Sequence, residues 1–183
     1  MPDVLVVFAT KMGSTQEIAD VIAGELRVAG LSVDVCPAAE APDPAGYRTV
    51  VLGSALYLRR WRRDALRYLR RHVVELRGAP VWLFQSGPCG SRGSRVEAAG
   101  TPVPYAVRRL ADRIDSEPPV TFGGRLDRPH AVGPLTRWVA GSAELSGDYR
   151  DWASIRAWAR GIAATLTGPG LDAAEDSAGR PRP

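Results

Sequence analysis

The segment from Val4 to Thr15, VLVVFATKMGST, constrains the fold more than any other part of the chain. Val4 to Ala9 are apolar without alternation, the pattern of a strand covered on both faces, as central parallel strands of α/β proteins are. Thr10 to Thr15 then place three hydroxyls, one ammonium and one glycine in six positions. Ile18, Val21, Ile22 and Leu26 follow at helical spacing as one apolar face, so a helix is predicted from near Thr15. A helix start presents unpaired N–H groups and a partial positive charge, and hydroxyl side chains around it suit a phosphate. A second reading stands beside this one, in which Ser14 or Thr15 caps the helix and Gly13 serves the turn. The chain has no GxxxxGK[ST] loop, and no GxGxxG opens this helix, so two common nucleotide-binding motifs are excluded.

Strand and helix patterns alternate through the rest of the chain. Strands are predicted at Leu31 to Cys36, Val50 to Ser54, Pro80 to Ser86 and Val120 to Gly124. Helices are predicted over Trp61 to Leu76 (inner face Ala65, Leu69, Val73, Leu76), over Tyr105 to Ile114 (Val107, Leu110, Ala111, Ile114) and over Trp152 to Leu166 (Ile155, Ala159, Ile162, Leu166). Such alternation implies parallel βαβ units. The expected fold is therefore α/β, a three-layer sandwich whose five-stranded parallel sheet has the order 2-1-3-4-5. In such sheets ligands bind beyond the carboxyl ends of the strands where the strand order reverses, which directs attention to the loops after strands one, three and four. Gly168 to Pro183 lose apolar periodicity and gain Gly, Pro and charge, so a single domain over 1–167 with a disordered tail over 168–183 is expected. Arg125 to Arg150 form a connection longer than most loops of compact domains.

Each of the three loops is chemically distinctive. The first is Thr10, Lys11, Met12, Gly13, Ser14 and Thr15. The second, after strand three, is Gly53, Ser54, Ala55, Leu56 and Tyr57. The third is Ser86, Gly87, Pro88, Cys89 and Gly90. The first loop resembles that of flavodoxins, which has the form hydroxyl-x-hydroxyl-Gly-x-Thr and surrounds the phosphate of FMN. Met12 stands where the middle hydroxyl is expected, and Lys11 precedes it. The resemblance continues in FGGRLD at Phe122 to Asp127 and GDYRDW at Gly147 to Trp152, which look like the branch containing menaquinone-dependent protoporphyrinogen oxidases. It implies FMN as cofactor, with the first loop around the phosphate, the second flanking the isoalloxazine ring and the third hydrogen-bonding its pyrimidine edge. Small residues in the second loop would let backbone approach the ring. Tyr57 and Trp61 are the aromatics able to stack on the ring, or else they cover the core beneath the next helix. Cys89 reads as a small residue beside the ring, since no partner thiol or adjacent histidine is evident. Asp148 or Asp151 is expected to cap or charge the start of the last helix.

The resemblance implies an FMN-dependent oxidoreductase that passes electrons from substrate, a porphyrin in the oxidase branch, to a quinone or other acceptor. The alternative is a flavodoxin-type electron carrier serving a redox partner protein. No acid, base or nucleophile stands out as catalytic: His72 lies among arginines and His130 in the long connection. Cys36 and Cys89 form no metal-like or disulfide spacing, and no zinc site is indicated. With 183 residues, 45% hydrophobic, one full core is affordable; no run is long and apolar enough to span a bilayer, and a cytoplasmic protein is expected. The net charge is +4, and Lys11 is the only lysine; every other basic residue is arginine. Electron-carrier flavodoxins are strongly acidic, so this charge departs from that pattern. Arg59, Arg60, Arg62, Arg63, Arg67, Arg70 and Arg71 form the densest positive cluster, suited to propionate-bearing porphyrins or to peripheral contact with an anionic membrane near a quinone pool, or else a solvated helix face. No aromatic-interleaved basic motif supports nucleic acid.

Overall fold

The computed structural model describes residues 2–87, 101–126 and 147–168. Strand β1 (Val4–Ala9) is buried at all six positions, Val4 to Val7 completely. Its period-two geometry divides these residues between two cores. Val4, Val6 and Phe8 pack beneath helices α1 (Ser14–Val28) and α5 (Trp152–Thr167); Leu5, Val7 and Ala9 pack beneath α2 (Arg63–Arg71), α3 (Val73–Arg77) and α4 (Tyr105–Arg113). An unalternating apolar run is what two covering layers require.

Strand β2 (Val33–Pro37) lies on one side of β1, and β3 (Thr49–Tyr57) on the other; β5 (Val81–Ser86) and β6 (Val120–Phe122) continue the sheet, giving the parallel order β2-β1-β3-β5-β6. Counting the parallel strands alone, this is the expected 2-1-3-4-5. The apolar faces predicted for α1, α4 and α5 turn inward, with Ile18, Ile22 and Leu26, Val107, Leu110 and Ile114, and Ile155, Ala159 and Ile162 all buried. Asp151 caps α5: its Oδ1 accepts from Ser154 N at 3.0 Å.

Two stretches differ from the sequence reading. The strand expected to end at Ser54 continues through Ala55 to Tyr57, since β3 runs to Tyr57 and folds back as a hairpin onto the short strand β4 (Arg60–Trp61), pairing Leu56 with Trp61 and Tyr57 with Arg60. Periodicity cannot separate a strand extension from a loop when residues 55–57 are only partly covered. The helix expected over Trp61 to Leu76 is correspondingly shorter and broken. Trp61 belongs to the hairpin, α2 starts at Arg63, and at His72 (φ −114°, ψ 31°) the backbone leaves helical geometry before α3. The apolar positions Ala65, Leu69 and Leu76 remain in phase across the break, which is why a continuous helix fits the sequence equally well.

The ends of the long connection meet in a two-stranded ribbon, β7 (Arg125–Leu126) with β8 (Gly147–Asp148). Arg150, with only 2% of its side chain exposed, fastens this ribbon to α1. It donates to Asp148 at 2.8 and 2.6 Å and to Glu17 at 2.7 Å, and its guanidinium lies 4.4 Å from the Trp152 ring centroid. Arg125 adds a second ion pair to Glu17 at 3.1 Å. The hydrogen bond from Arg150 holds the Asp148 carboxyl below its ordinary value of 3.8. A depressed folded-state value means that the contribution is fully present above pH 3.8 and is lost as pH falls through the folded value. Arg150→Met is accordingly expected to destabilise the domain by about 2 kcal/mol at neutral pH, less than a fully buried pair because the carboxylates are half exposed. The deficit should shrink under acid conditions, as followed by circular-dichroism melts against pH; a deficit independent of pH would refute the linkage.

Candidate functional site

The sheet order brings the carboxyl ends of β1, β3 and β5 side by side, so the three segments singled out in the sequence converge. Chain reversal into α1 is made by Gly13, whose φ of 87° lies in the left-handed region and whose N–H donates to Thr10 Oγ1 at 2.9 Å. Glu17 N to Gly13 O, at 3.1 Å, is the first backbone bond of this turn, and no side chain caps the helix. The N–H groups of Ser14, Thr15 and Gln16 thus have no acceptor within the helix. The capping reading of Ser14 and Thr15 is set aside by this geometry. Thr15, fully buried, instead shares a 2.7 Å hydrogen bond with the Ser86 hydroxyl at the end of β5, tying the first loop to the third.

The first and second segments are joined differently. The Lys11 ammonium sits 3.6 Å from the centroid of the Tyr57 ring, a cation–π contact across the mouth of the site. Tyr57 remains partly exposed, whereas Trp61 is 3% exposed and donates its indole N–H to Gln85 Oε1 at 2.9 Å. Gln85 in turn donates to Thr121 Oγ1 at 2.9 Å. Trp61 therefore fills the core beneath α2, and among the two aromatics only Tyr57 faces the loops. Ser54 is also turned inward: its hydroxyl accepts from Arg62 N at 2.9 Å and closes the hairpin. Gly87 opens the third segment at φ 127°, with its N–H donating to Phe122 O at 2.9 Å. Pro88, Cys89 and Gly90 lie outside the described residues.

A family model described as flavodoxin domain matches residues 5–130. The chain belongs to the flavodoxin domain family. Comparison with curated proteins found no match. Among solved structures, oxidised flavodoxin 2 from Bacillus cereus superposes with a TM-score of 0.58 at 14% identity, covering 89% of this chain and 99% of that one. A flavodoxin from the domain Archaea gives 0.59 at 12% identity, over 90% of this chain and 98% of that one. Rubredoxin oxygen:oxidoreductase from Desulfovibrio gigas gives 0.58 at 14% identity, but this chain, 90% covered, spans only 36% of that enzyme's length. At such identities the likeness is one of fold.

The cofactor of flavodoxins is FMN, and the residues present fit it. An uncapped helix start with the hydroxyls of Thr10 and Ser14 and the ammonium of Lys11 is a donor set for a phosphate dianion. A Cβ added at Gly13 would meet nothing within 4 Å, so the turn is open toward that space. Glu17, in the first turn of α1, would oppose an anion there, but Arg125 and Arg150 neutralise it. This pair was not read from the sequence; the GDYRDW motif containing Arg150 was, and an arginine between two aspartates was the available signal.

Gly53, expected to let backbone approach the flavin ring, has another task. A Cβ there would lie 1.9 Å from Phe84 Cζ, so its hydrogen makes room for a core ring in the neighbouring strand. Beyond Tyr57 the hairpin turns through Leu58 (φ 48°) and Arg59 (φ 59°), both left-handed, the conformation of a two-residue type I′ turn. Neither residue is favoured there, and Leu58 is 74% exposed. Beside this turn lies a cleft of about 490 Å³ lined by Tyr57, Arg60, Arg62, Arg63, Asp64 and Arg67. Asp64 pairs with Arg67 at 3.3 Å, and the Nε of Arg62 is buried with no hydrogen-bond partner. Among the described residues no helix is long and apolar enough to cross a membrane.

Proposed function

We propose that this flavodoxin-domain protein is an FMN-dependent oxidoreductase most like a menaquinone-dependent protoporphyrinogen IX dehydrogenase, with a quinone or another acceptor taking the electrons. The observation that carries this reading is the arginine-lined cleft of about 490 Å³ adjoining Tyr57. Guanidinium groups around one cleft suit carboxylates, which they bind in charge-assisted and often bidentate fashion. Bound FMN supplies the redox chemistry, and the chain supplies position and electrostatics. In this reading the first loop and the start of α1 hold the phosphate, Tyr57 lies along the ring, and Arg60, Arg63 and Arg67 draw in the carboxylates of a propionate-bearing porphyrin. The same arginines suit a peripheral position on an anionic membrane surface, where quinone is found.

The test is anaerobic turnover of protoporphyrinogen by the FMN-loaded protein with a menaquinone analogue, run beside an enzyme known to perform the reaction. Turnover is expected. Arg63→Glu with Arg67→Glu should raise KM by about 10-fold or more with kcat little changed, since these groups would serve substrate capture rather than chemistry. No turnover where the control succeeds would end this reading.

The exposed Leu58 tip among arginines favours a second reading, an electron carrier that docks an acidic redox protein. Reductive titration separates the two. Two resolved one-electron steps favour the carrier, and a single two-electron step favours the enzyme.

A further inference from the structure

Remote from the flavin loops, Asp43, His72 and Glu75 bring one imidazole nitrogen and two carboxylate oxygens within 4.8 Å of one another. Three separate features of the fold create this meeting. Asp43 precedes a single 3-10 turn (Pro44–Gly46) and caps it, its Oδ1 accepting from Ala45 N at 2.9 Å. His72 sits at the break between α2 and α3, and Glu75 follows one helical turn later, on the same side. The 3-10 turn leads into the start of β3, and α3 ends shortly before the start of β5. The cluster therefore lies toward the amino-terminal ends of the strands, while the cofactor loops follow their carboxyl ends, roughly 18 Å away along the sheet.

Two of the three side chains, His72 and Glu75, stand close without a hydrogen bond between them. His72 is 8% exposed, and its Nδ1 is 3.9 Å from Glu75 Oε2, too far for a hydrogen bond. Glu75 Oε2 is itself buried without any hydrogen-bond partner. The Glu75 side chain is 33% exposed, so its inward oxygen stands beside the imidazole on a carboxylate that an arriving ion can reach. Two ligand atoms on tetrahedral zinc stand roughly 3.4 Å apart, so a small side-chain adjustment would bring both onto one ion. The surroundings hold the imidazole in place. Its ring packs against Tyr68 with centroids 4.8 Å apart, and the Tyr68 hydroxyl donates to Pro42 O at 2.9 Å, fixing the segment that carries Asp43. Asp43 is exposed, which leaves a solvent-facing side for entry and for a water as fourth ligand.

We propose that Asp43, His72 and Glu75 form a binding site for one divalent transition-metal ion, Zn2+ by ligand type, that fastens the segment between β2 and β3 to the α2–α3 break. An imidazole with two carboxylates suits zinc, whereas magnesium and calcium prefer sites built from oxygen alone. The ion stands apart from the flavin and serves the architecture of the domain.

The test uses the full chain with FMN bound, stripped of metal by chelator and titrated with Zn2+ in a calorimeter, with Co2+ as a visible probe. One ion per chain is expected, with intense Co2+ absorption bands in the visible, and a melting temperature raised by about 5 °C at a hundredfold excess over Kd. Asp43→Asn and Glu75→Gln, which keep size and polarity, should each weaken binding at least about 100-fold while leaving flavin absorbance and far-ultraviolet circular dichroism unchanged. No binding up to about 1 mM Zn2+, a millimolar Kd being negligible for a structural site, would overturn the proposal. So would an affinity retained in either variant.

Discussion

Gly53→Val is expected to lower the melting temperature by about 10 °C or to prevent folding. A Cβ at this position would stand 1.9 Å from Cζ and 2.2 and 2.3 Å from Cε1 and Cε2 of Phe84, well inside van der Waals contact. Phe84 has nowhere to move. It is fully buried, its ring meets Trp158 edge-on at 6.0 Å, and Phe122 lies tilted against it at 6.0 Å. Overpacking of this kind costs about 3 kcal/mol, and each kcal/mol moves the melting temperature of a domain this size by roughly 2–4 °C. The pairing of Gly53 with Phe84 in register also makes the effect separable. A second substitution, Phe84→Leu, should recover part of the loss, so the double variant is less damaged than the sum of the two. A melting temperature for Gly53→Val within about 2 °C of the parent would show that the sheet yields more easily than close packing allows.

Thr15→Leu carries the largest expected effect on function, a loss of FMN affinity of at least about 100-fold, or roughly 2.7 kcal/mol. The position is completely buried, and its hydroxyl is bonded to Ser86 at 2.7 Å. Leucine removes a donor from the loop, leaves the buried Ser86 hydroxyl without its partner and adds volume where none is free. Because the bond spans the first and third loops, both walls of the site should be disturbed together. Thr15→Ser keeps the hydroxyl and should stay within about threefold of the parent, since hydrogen bonds contribute about 1 kcal/mol and this one survives. Fluorescence quenching of FMN on titration with protein measures both; an unchanged Kd for Thr15→Leu would place the phosphate elsewhere.

The fold is legible wherever burial is two-sided. Val4 to Ala9 announce a central strand because both faces are covered, and the helix faces of α1, α4 and α5 follow from period alone. Legibility fails where local pattern and tertiary pairing compete. Ala55 to Tyr57 look like a loop because they are only partly covered, and a type I′ turn built from Leu58 and Arg59 carries none of the usual Asn-Gly signal. The break at His72 is hidden because the apolar positions stay in phase through it.

The candidate site divides in the same way. Its hydroxyls and glycine were visible as a motif, but the roles of Gly53 and Trp61 were not. A small residue near a ligand and a small residue under a ring look alike in a sequence, and so do a stacking tryptophan and a core one. The cluster of Asp43, His72 and Glu75 was invisible for a different reason. Its members come from separate elements, and no spacing rule links Asp43 to the other two.

The lysine above Tyr57 also has a practical meaning. In a chain with no other lysine, it is the single primary amine carried by any side chain, and the fold has placed it at the mouth of the candidate site. Amine-directed chemistry on this protein therefore addresses one side chain, in one place. An acylating reagent or a fluorophore ester reacts with this side chain beside the chain's α-amino group, and once the two products are told apart by peptide mapping, the rate of attachment at Lys11 reads how far the tyrosine face and whatever binds beside it shield that amine.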